Sequence, residues 1–229
     1  MRIGIFGRGR LARAVETAAL TAGHEVAWTL GRAELPSEGR VDVCVDCSMP
    51  ASVAQHLEWA LVHETPMVIG VTGIDAAALA QQANGRIGLL IAPNFSLSVA
   101  LMARLAAVLA RYASITPGFD PFVMEKHHAK KADAPSGTAK MLVNRMLSQL
   151  TSDSLSVSSV RAGAGQHSWH VVGIDSADEA LELKHEARSL LPCGRGAVVA
   201  CAFVAARRGL FSMDDVARQS LEGVLGALQ

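Results

Sequence analysis

The sequence predicts an α/β chain of two domains, one built on a parallel, doubly wound sheet and the second an α+β domain with a mixed or antiparallel sheet. Three observations carry that prediction. A short apolar strand at the start runs into a glycine-bearing turn and a helix; strands and helices then alternate to about residue 91; and between 154 and 187 strand-like stretches follow one another with short connections.

The opening strand is Arg2-Ile3-Gly4-Ile5-Phe6, followed by Gly7-Arg8-Gly9-Arg10-Leu11-Ala12 and a helix to about residue 22 that stops at Gly23. This is the strand, tight turn and helix of a Rossmann-like, dinucleotide-binding domain. Gly7 permits the turn, Gly9 lets the backbone approach a pyrophosphate, and Ala12 is the small residue where helix meets strand. The alternation continues with strands over 25–30, 41–47, 67–71 and 87–91 and helices over 51–63 and 76–83. In such sheets ligands bind at the carboxyl ends of the strands. There lie the 7–12 turn, Gly31-Arg32, Ser48, Gly70-Val71-Thr72-Gly73 and Ala92-Pro93-Asn94-Phe95-Ser96, which are expected to ring one crevice. Arg32, with Arg8 or Arg10, suits a ribose 2′-phosphate, so NADPH is favoured over NADH. The alternative is a surface Arg32, with Glu34 binding the ribose.

The chemically richest stretch is Glu125-Lys126-His127-His128-Ala129-Lys130-Lys131-Ala132-Asp133-Ala134-Pro135-Ser136-Gly137-Thr138. It reads as the end of a strand over 119–125, a loop, and a helix capped by Ser136, with Ala139, Leu142, Val143, Met146, Leu147 and Leu150 on one apolar stripe. Backbone N–H groups at Gly137 and Thr138, at the positive end of the helix dipole, suit a carboxylate or phosphate. His127 and His128 can exchange protons near neutral pH, and Lys131 can hold an anion or donate a proton. The combination suits a small anionic substrate that becomes protonated.

The second domain continues with a helix over 97–112, expected at a domain junction or between subunits, and strands over 154–161, 166–174 and 179–187. In the last strand Leu181, Leu183, His185 and Ala187 share a face, which reads His185 as a core residue. Arg161 and His167 flank a glycine-containing connection, and periodicity does not say where either points. An apolar helix over 197–208 and a last helix from Ser212, with Asp214 and Asp215 in its first turn, close the chain. The expected division is 1–97 with 209–229 for the dinucleotide domain and 98–208 for substrate binding and oligomerisation.

Basic and acidic residues balance at 21 each, which argues against general attraction to nucleic acid or a membrane surface. Residues 97–109 and 197–206, the most apolar stretches, contain Arg104 or are too short to span a bilayer and are expected to be buried. With no secretory signal in the opening residues, a cytoplasmic protein is expected. Cys44 and Cys47 spell Cys-x-x-Cys on an apolar strand, where residues three apart face opposite ways, so no metal or redox role is assigned. A zinc site on the histidine pair is disfavoured, since adjacent histidines on a strand end diverge and no carboxylate stands at zinc-hydrolase spacing.

The string from Glu125 to Thr138, with the dinucleotide turn and the Ala92-Pro93-Asn94-Phe95-Ser96 segment, resembles the 4-hydroxy-tetrahydrodipicolinate reductase family over nearly the whole chain. The resemblance implies hydride transfer from NADPH or NADH to a cyclic dicarboxylate in the diaminopimelate route of lysine biosynthesis, and a homotetramer joined through the second domain's sheet. It implies proton donation by His127 and Lys131, substrate contact by His128, and carboxylate binding at Gly137 and Thr138. Cofactor contacts are implied for Gly7, Arg8, Gly9, Arg10, Leu11, Ala12, Gly70, Val71, Thr72, Ala92, Pro93, Asn94 and Phe95, alongside Arg32. The chain departs from the family pattern at Ala12, Val71 and Ser98 and in a shorter 161–167 connection. A dehydrogenase of another small carboxylate or semialdehyde, and a nucleotide-sensing regulator without catalysis, are the competing readings.

Overall fold

The computed structural model covers residues 1–229; it describes all but 32–33, 38–39, 153–154, 166 and 226–229, with backbone only for 221–225. The chain forms two compact units, Met1–Leu97 with Leu190–Gln229, and Ser98–Ser189.

The first unit is a six-stranded parallel sheet. Its elements in chain order are β1 (Arg2–Phe6), α1 (Arg10–Thr21), β2 (Glu25–Leu30), β3 (Val43–Asp46), α2 (Pro50–Val62), β4 (Met67–Ile69), α3 (Ala76–Ala83) and β5 (Gly88–Ile91). Apart from exposed Arg2 at the start of β1 and the polar Asp46 at the end of β3, strands β1, β3, β4 and most of β5 are apolar and buried, as parallel strands covered on both faces must be. Phe6, Cys44, Met67, Ile69 and Leu89 pack with Val53, Leu57 and Ala60 of α2 and Leu79 of α3. In the strand order β2-β1-β3-β4-β5 the direction of winding reverses beside β1. That reversal opens a crevice at the carboxyl ends of β1 and β3.

The second unit begins with α4 (Leu97–Ile115) and contains β6 (Asp120–His127), α5 (Gly137–Leu147), β7 (Ser156–Arg161), β8 (Ser168–Asp175) and β9 (Ala180–Ala187). The sheet order is β7-β6-β8-β9, with β7 parallel to β6 and the remaining pairs antiparallel. The expected mixed sheet is therefore present. Val123 of β6 and Val172 of β8 pack against Met102, Ala103, Ala106 and Ala110 of α4 and Leu142 and Met146 of α5. Because strand side chains alternate, Glu125 and His127 share Val123's face and belong to the same side as the helices.

The last part of the chain departs most from the sequence expectation. The helix expected over 197–208 is α6 (Leu191–Val204), and it packs in the first unit against α1, β3, β4 and β5, so the second segment of that unit starts at Leu190 rather than at residue 209. The reason is close backbone approach. A Cβ on Gly194 would lie 2.2 Å from the Ala14 carbonyl oxygen and one on Gly196 would lie 1.7 Å from that of Phe95. After α6, β10 (Gly209–Phe211) adds a strand beside β5 where only a connection was expected, and α7 (Met213–Leu225) follows. At its start the Ser212 N–H and hydroxyl both donate to Asp215 Oδ2.

Helix α4 is also less buried than expected. At 19 residues it is the one helix, among the described residues, long and apolar enough by length and composition to cross a membrane, and a third of that window is buried. Its inner face is the Ala-rich row of Ala103, Ala106 and Ala110, while Leu105, Val108, Tyr112 and Ile115 are exposed. Arg104, expected to interrupt the apolar stretch, lies within the helix.

Packing of α6 on the first unit is testable. Gly196→Ala places a methyl group inside the van der Waals radius of a backbone oxygen, and overpacking of this kind costs about 1–3 kcal/mol. Urea unfolding of the variant is expected to show a lowered midpoint with little change in slope, and an unchanged midpoint would contradict the packing described.

Candidate active site

Turns built from backbone rather than from long side chains surround the carboxyl ends of the parallel strands. Gly7 sits at φ +107°, a region costly for residues with a Cβ, and a Cβ there would lie 2.6 Å from the Cys47 carbonyl oxygen. Its N–H donates to the Leu30 carbonyl, tying the turn to the end of β2. Gly9 is the residue before α1, whose first turn has no side-chain cap, and a Cβ on Gly9 would meet nothing within 4 Å. Open space over an uncapped helix N-terminus fits a pyrophosphate, as expected for Arg10 and Leu11 backbone N–H groups.

The other predicted cofactor residues divide into two kinds. Ala12, Val71, Ala92 and Phe95 are buried, so they shape the crevice from beneath. The Phe95 ring lies on Gly70, where a Cβ would come within 2.5 Å of it, and Leu11 also reaches Gly70. Arg8, Arg10, Thr72 and Pro93 are exposed, and the Asn94 side chain accepts the Ser96 N–H. Arg8 donates to Glu34 Oε2 at 3.1 Å, and Glu34 accepts the Gly31 N–H at 2.8 Å. Glu34 is thus bound to the end of β2, while Arg32 lies outside the described residues.

Beneath the turns lies a buried polar pair that the sequence reading missed. Asp46 ends β3 and accepts from the Ser48 N–H at 2.9 Å and from its hydroxyl, while its other oxygen is 2.7 Å from His56 Nδ1. Both Asp46 and His56 are 0 % exposed. The His56 ring stacks on Phe6 with centroids 4.0 Å apart. The signal was an aspartate closing an apolar strand and a histidine on the inward face of the next helix.

In the second unit the predicted residues gather around a residue to which no role had been given. Glu125 is fully buried, and its Oε1 accepts three donors: Arg161 Nη2 at 2.7 Å, Ser159 Oγ at 2.8 Å and the Ser136 N–H at 3.0 Å. Its Oε2 lies 3.2 Å from His127 Nε2 and 3.5 Å from His170 Nε2. Strand register creates this convergence, since Glu125 faces Ser159 across β7 and His170 across β8, and His127 faces Arg161. Burial alone would raise the Glu125 carboxyl; the Ser136 and Arg161 hydrogen bonds, with Ser159, outweigh it and hold the group at about 2.

The same burial acts on the histidines. Desolvation lowers His127, opposed by the Glu125 charge and reinforced by Lys131 and Arg161. Desolvation, with His127 beside it, pushes His170 down to about 4. His170 Nε2 is 3.2 Å from Ser136 Oγ, and that oxygen accepts the Ala139 N–H as the helix cap. His127 ends β6 rather than starting the loop, His128 follows half-buried, and Lys131 pairs with Asp133 at 2.6 Å. Gly137 and Thr138 open α5, directly after the Ser136 cap, as expected. Arg161 points into the cluster, His167 is exposed, and His185 stands opposite His170 on β9.

The zinc argument from spacing needs correction here, because Glu125, His127 and His170 bring one ligand atom each within 4.8 Å of one another. The carboxylate came from two residues upstream on the same strand. What neutralises it in this arrangement is the Arg161 guanidinium.

Comparison with known proteins agrees with this geometry. The pattern of the dihydrodipicolinate reductase C-terminus matches residues 98–217, and that of the N-terminus matches residues 33–95. The chain is 31% identical to the 4-hydroxy-tetrahydrodipicolinate reductase of Laribacter hongkongensis, covering 91% of this chain and 94% of the relative. It is 33% identical to that of Burkholderia lata, over 77% of this chain and 74% of the relative. Among solved structures, the dipicolinate-bound dihydrodipicolinate reductase of Paenisporosarcina sp. TG-14 superposes with a TM-score of 0.76 at 20% identity, covering 93% of this chain and 97% of the other. A likeness in fold alone extends to GenD2 of gentamicin A biosynthesis, with a TM-score of 0.62 at 12% identity over 95% of this chain and 90% of the other. With both halves matched and a relative above 30% identity over most of its length, the chain belongs to the dihydrodipicolinate reductase family.

Proposed function

We propose that this chain reduces 4-hydroxy-tetrahydrodipicolinate to tetrahydrodipicolinate with NAD(P)H, in the diaminopimelate route to lysine. The observation that carries the reading is the meeting of His127, Arg161 and the Ser136-capped start of α5 around one buried carboxylate, in a chain whose other unit has the dinucleotide turn. NAD(P)H, when bound, supplies hydride to a carbon of the conjugated imine. The residues of this chain then have three tasks. Gly137 and Thr138 at the start of α5, with His128, hold the substrate's carboxylates; His127 and Lys131 deliver the protons that quench the charge left by hydride addition; and residues 7–12 hold the pyrophosphate.

Purified protein is expected to oxidise NADPH only when the fresh condensation product of pyruvate and aspartate semialdehyde is added, with pyridine-2,6-dicarboxylate as inhibitor. Cofactor binding without oxidation would favour the regulator reading instead. His127→Ala and Lys131→Ala are each expected to lower turnover about 10²–10⁴-fold with near-normal cofactor affinity, the range for a lost proton transfer. Full turnover in both variants would remove them from the chemistry.

For cofactor choice we favour NADPH, through Arg32, Arg8 and Arg10. A specific observation supports NADH instead: Glu34 is held on the Gly31 N–H and engages Arg8, where a carboxylate can accept ribose hydroxyls and repels a 2′-phosphate. Paired titrations decide. Arg32→Ala weakening NADPH more than NADH supports the first reading, and Glu34→Ala strengthening NADPH while weakening NADH supports the second.

A homotetramer is proposed from the sheet side of the second unit that faces away from α4 and α5. Met124, Val160 and Trp169 lie on that side, and Phe122 covers Gly173. Sedimentation is expected to show a species of four times the 24.0 kDa chain, and a monomer at micromolar concentration would contradict it.

A further inference from the structure

We infer that Glu125 is the positioning residue of the proposed reduction: it holds the His127 Nε2–H, so that the ring's other nitrogen, Nδ1, is the atom that gives the proton to substrate. The inference rests on the function proposed above and assigns within it a residue and an atom.

Counting donors leads to this assignment. Oε1 of Glu125 is filled by Arg161, Ser159 and the Ser136 N–H, leaving Oε2 for a separate donor. Two imidazole nitrogens lie near Oε2, His127 Nε2 at 3.2 Å and His170 Nε2 at 3.5 Å. His170 is the less suited donor. Its Nε2 lies nearer to Ser136 Oγ, at 3.2 Å, than to Glu125 Oε2, at 3.5 Å, and when the hydroxyl that caps α5 donates its hydrogen to that nitrogen the ring has no Nε2–H to give the carboxylate. A ring kept neutral by burial fits that role. The remaining donor is His127.

Orientation follows from the same geometry. His127 Nε2 and Glu125 Oε2 are both buried, and although 3.2 Å apart neither makes an aligned hydrogen bond to any group, so a small turn of the ring toward the carboxylate satisfies both; the His127 side chain keeps 14 % of its surface exposed. With Nε2 inward, the Nδ1 edge is the one left to meet substrate. An ionised carboxylate on one nitrogen fixes the tautomer and stabilises the imidazolium, as in other dyads of this kind. In the balanced step, the Nδ1–H bond breaks as a new bond forms between that proton and the substrate atom holding the electron pair left by hydride addition. The ring ends neutral, with its Nε2–H still on Glu125.

Charged groups on the neighbouring elements act on His127 in both directions. Glu125 on its own strand favours the imidazolium, while Arg161 on β7 and Lys131 in the loop oppose it; Asp133 screens Lys131, and His170 on β8, backed by His185 on β9, is neutral near pH 7. Removing the Glu125 charge therefore lowers His127 further and takes from Arg161 its paired carboxylate.

Histidine-selective ¹⁵N NMR of the full-length protein provides the test, with His127 assigned by loss of its signals in His127→Asn. Above its titration, wild-type His127 is expected to be the Nε2–H tautomer; an Nδ1–H tautomer overturns the inference whether or not the enzyme turns over. Glu125→Gln retains an acceptor but no charge, so His127 is expected to titrate at lower pH. The alkaline limb of kcat/KM is expected to move the same way, with kcat at pH 8 falling on the order of tenfold or more and KM near wild type. A folded Glu125→Gln protein with unmoved titration and limb overturns the assignment, as does loss of both rings' signals to stoichiometric zinc, which would make the trio a metal site. If Glu125→Gln does not fold, the wild-type tautomer still decides. Absence of NADPH oxidation in wild type would remove the proposed reaction but leave the tautomer measurement intact.

Discussion

A buried carboxylate is the constraint on which the second unit depends. Placing an ionised Glu125 inside the protein costs several kcal/mol unless charge and hydrogen bonds compensate. The compensation comes from three groups on two segments: the Arg161 guanidinium at the end of β7, the Ser159 hydroxyl on the same strand, and the Ser136 N–H at the cap of α5. Together they outweigh the desolvation and keep the group ionised. The charge thus ties the helix start that would bind an anion to the strand that presents His127. A neutral residue at 125 would leave Arg161 largely buried without its paired carboxylate, and stranding one charge of a buried pair is strongly destabilising.

The first unit solves a different problem by different means. A dinucleotide's pyrophosphate needs a close approach to backbone N–H groups, and this unit builds its turns by omitting side chains: Gly7 packs on Cys47 with its N–H on the Leu30 carbonyl, Gly70 lies beneath Phe95 with its N–H on the Asp46 carbonyl, and Gly9 leaves the uncapped start of α1 open. Its buried acid, Asp46, serves that arrangement. By accepting from both the N–H and hydroxyl of Ser48 and by pairing with His56, it fixes the turn after β3 on which Gly7 rests. One unit relies on absence of side chains, the other on a crowded set of charged ones.

This difference explains what was legible in the sequence. The dinucleotide turn is local: Gly7 and Gly9 are two apart, and their meaning depends on the strand before and the helix after, so the sequence reading placed them correctly. Ser136 as helix cap is local too, and its side chain does accept the Ala139 N–H. Glu125, Ser159, Arg161 and His170 meet only through strand register, which depends on which strands pair and by how many residues they are offset. The alternation of Glu125 and His127 on one strand was visible, but their partners across the sheet were not. The membership of α6 in the first unit was equally hidden, because Gly194 and Gly196 read as poor helix formers until α1 and Phe95 are placed against them.

The two ion pairs near the site differ in a way that bears on how a substrate can be received. Lys131 and Asp133 are 2.6 Å apart, but Asp133 is 51 % exposed, and an ion pair so open to water contributes little to stability. Exchanging Asp133 for a substrate carboxylate therefore costs little, and the ammonium is carried to the substrate on a flexible stem without breaking anything the fold depends on. Glu125 and Arg161 are 0 % and 16 % exposed, and neither can be exchanged without stranding the other. A dicarboxylate entering this unit thus competes for the loose pair and leaves the tight one alone.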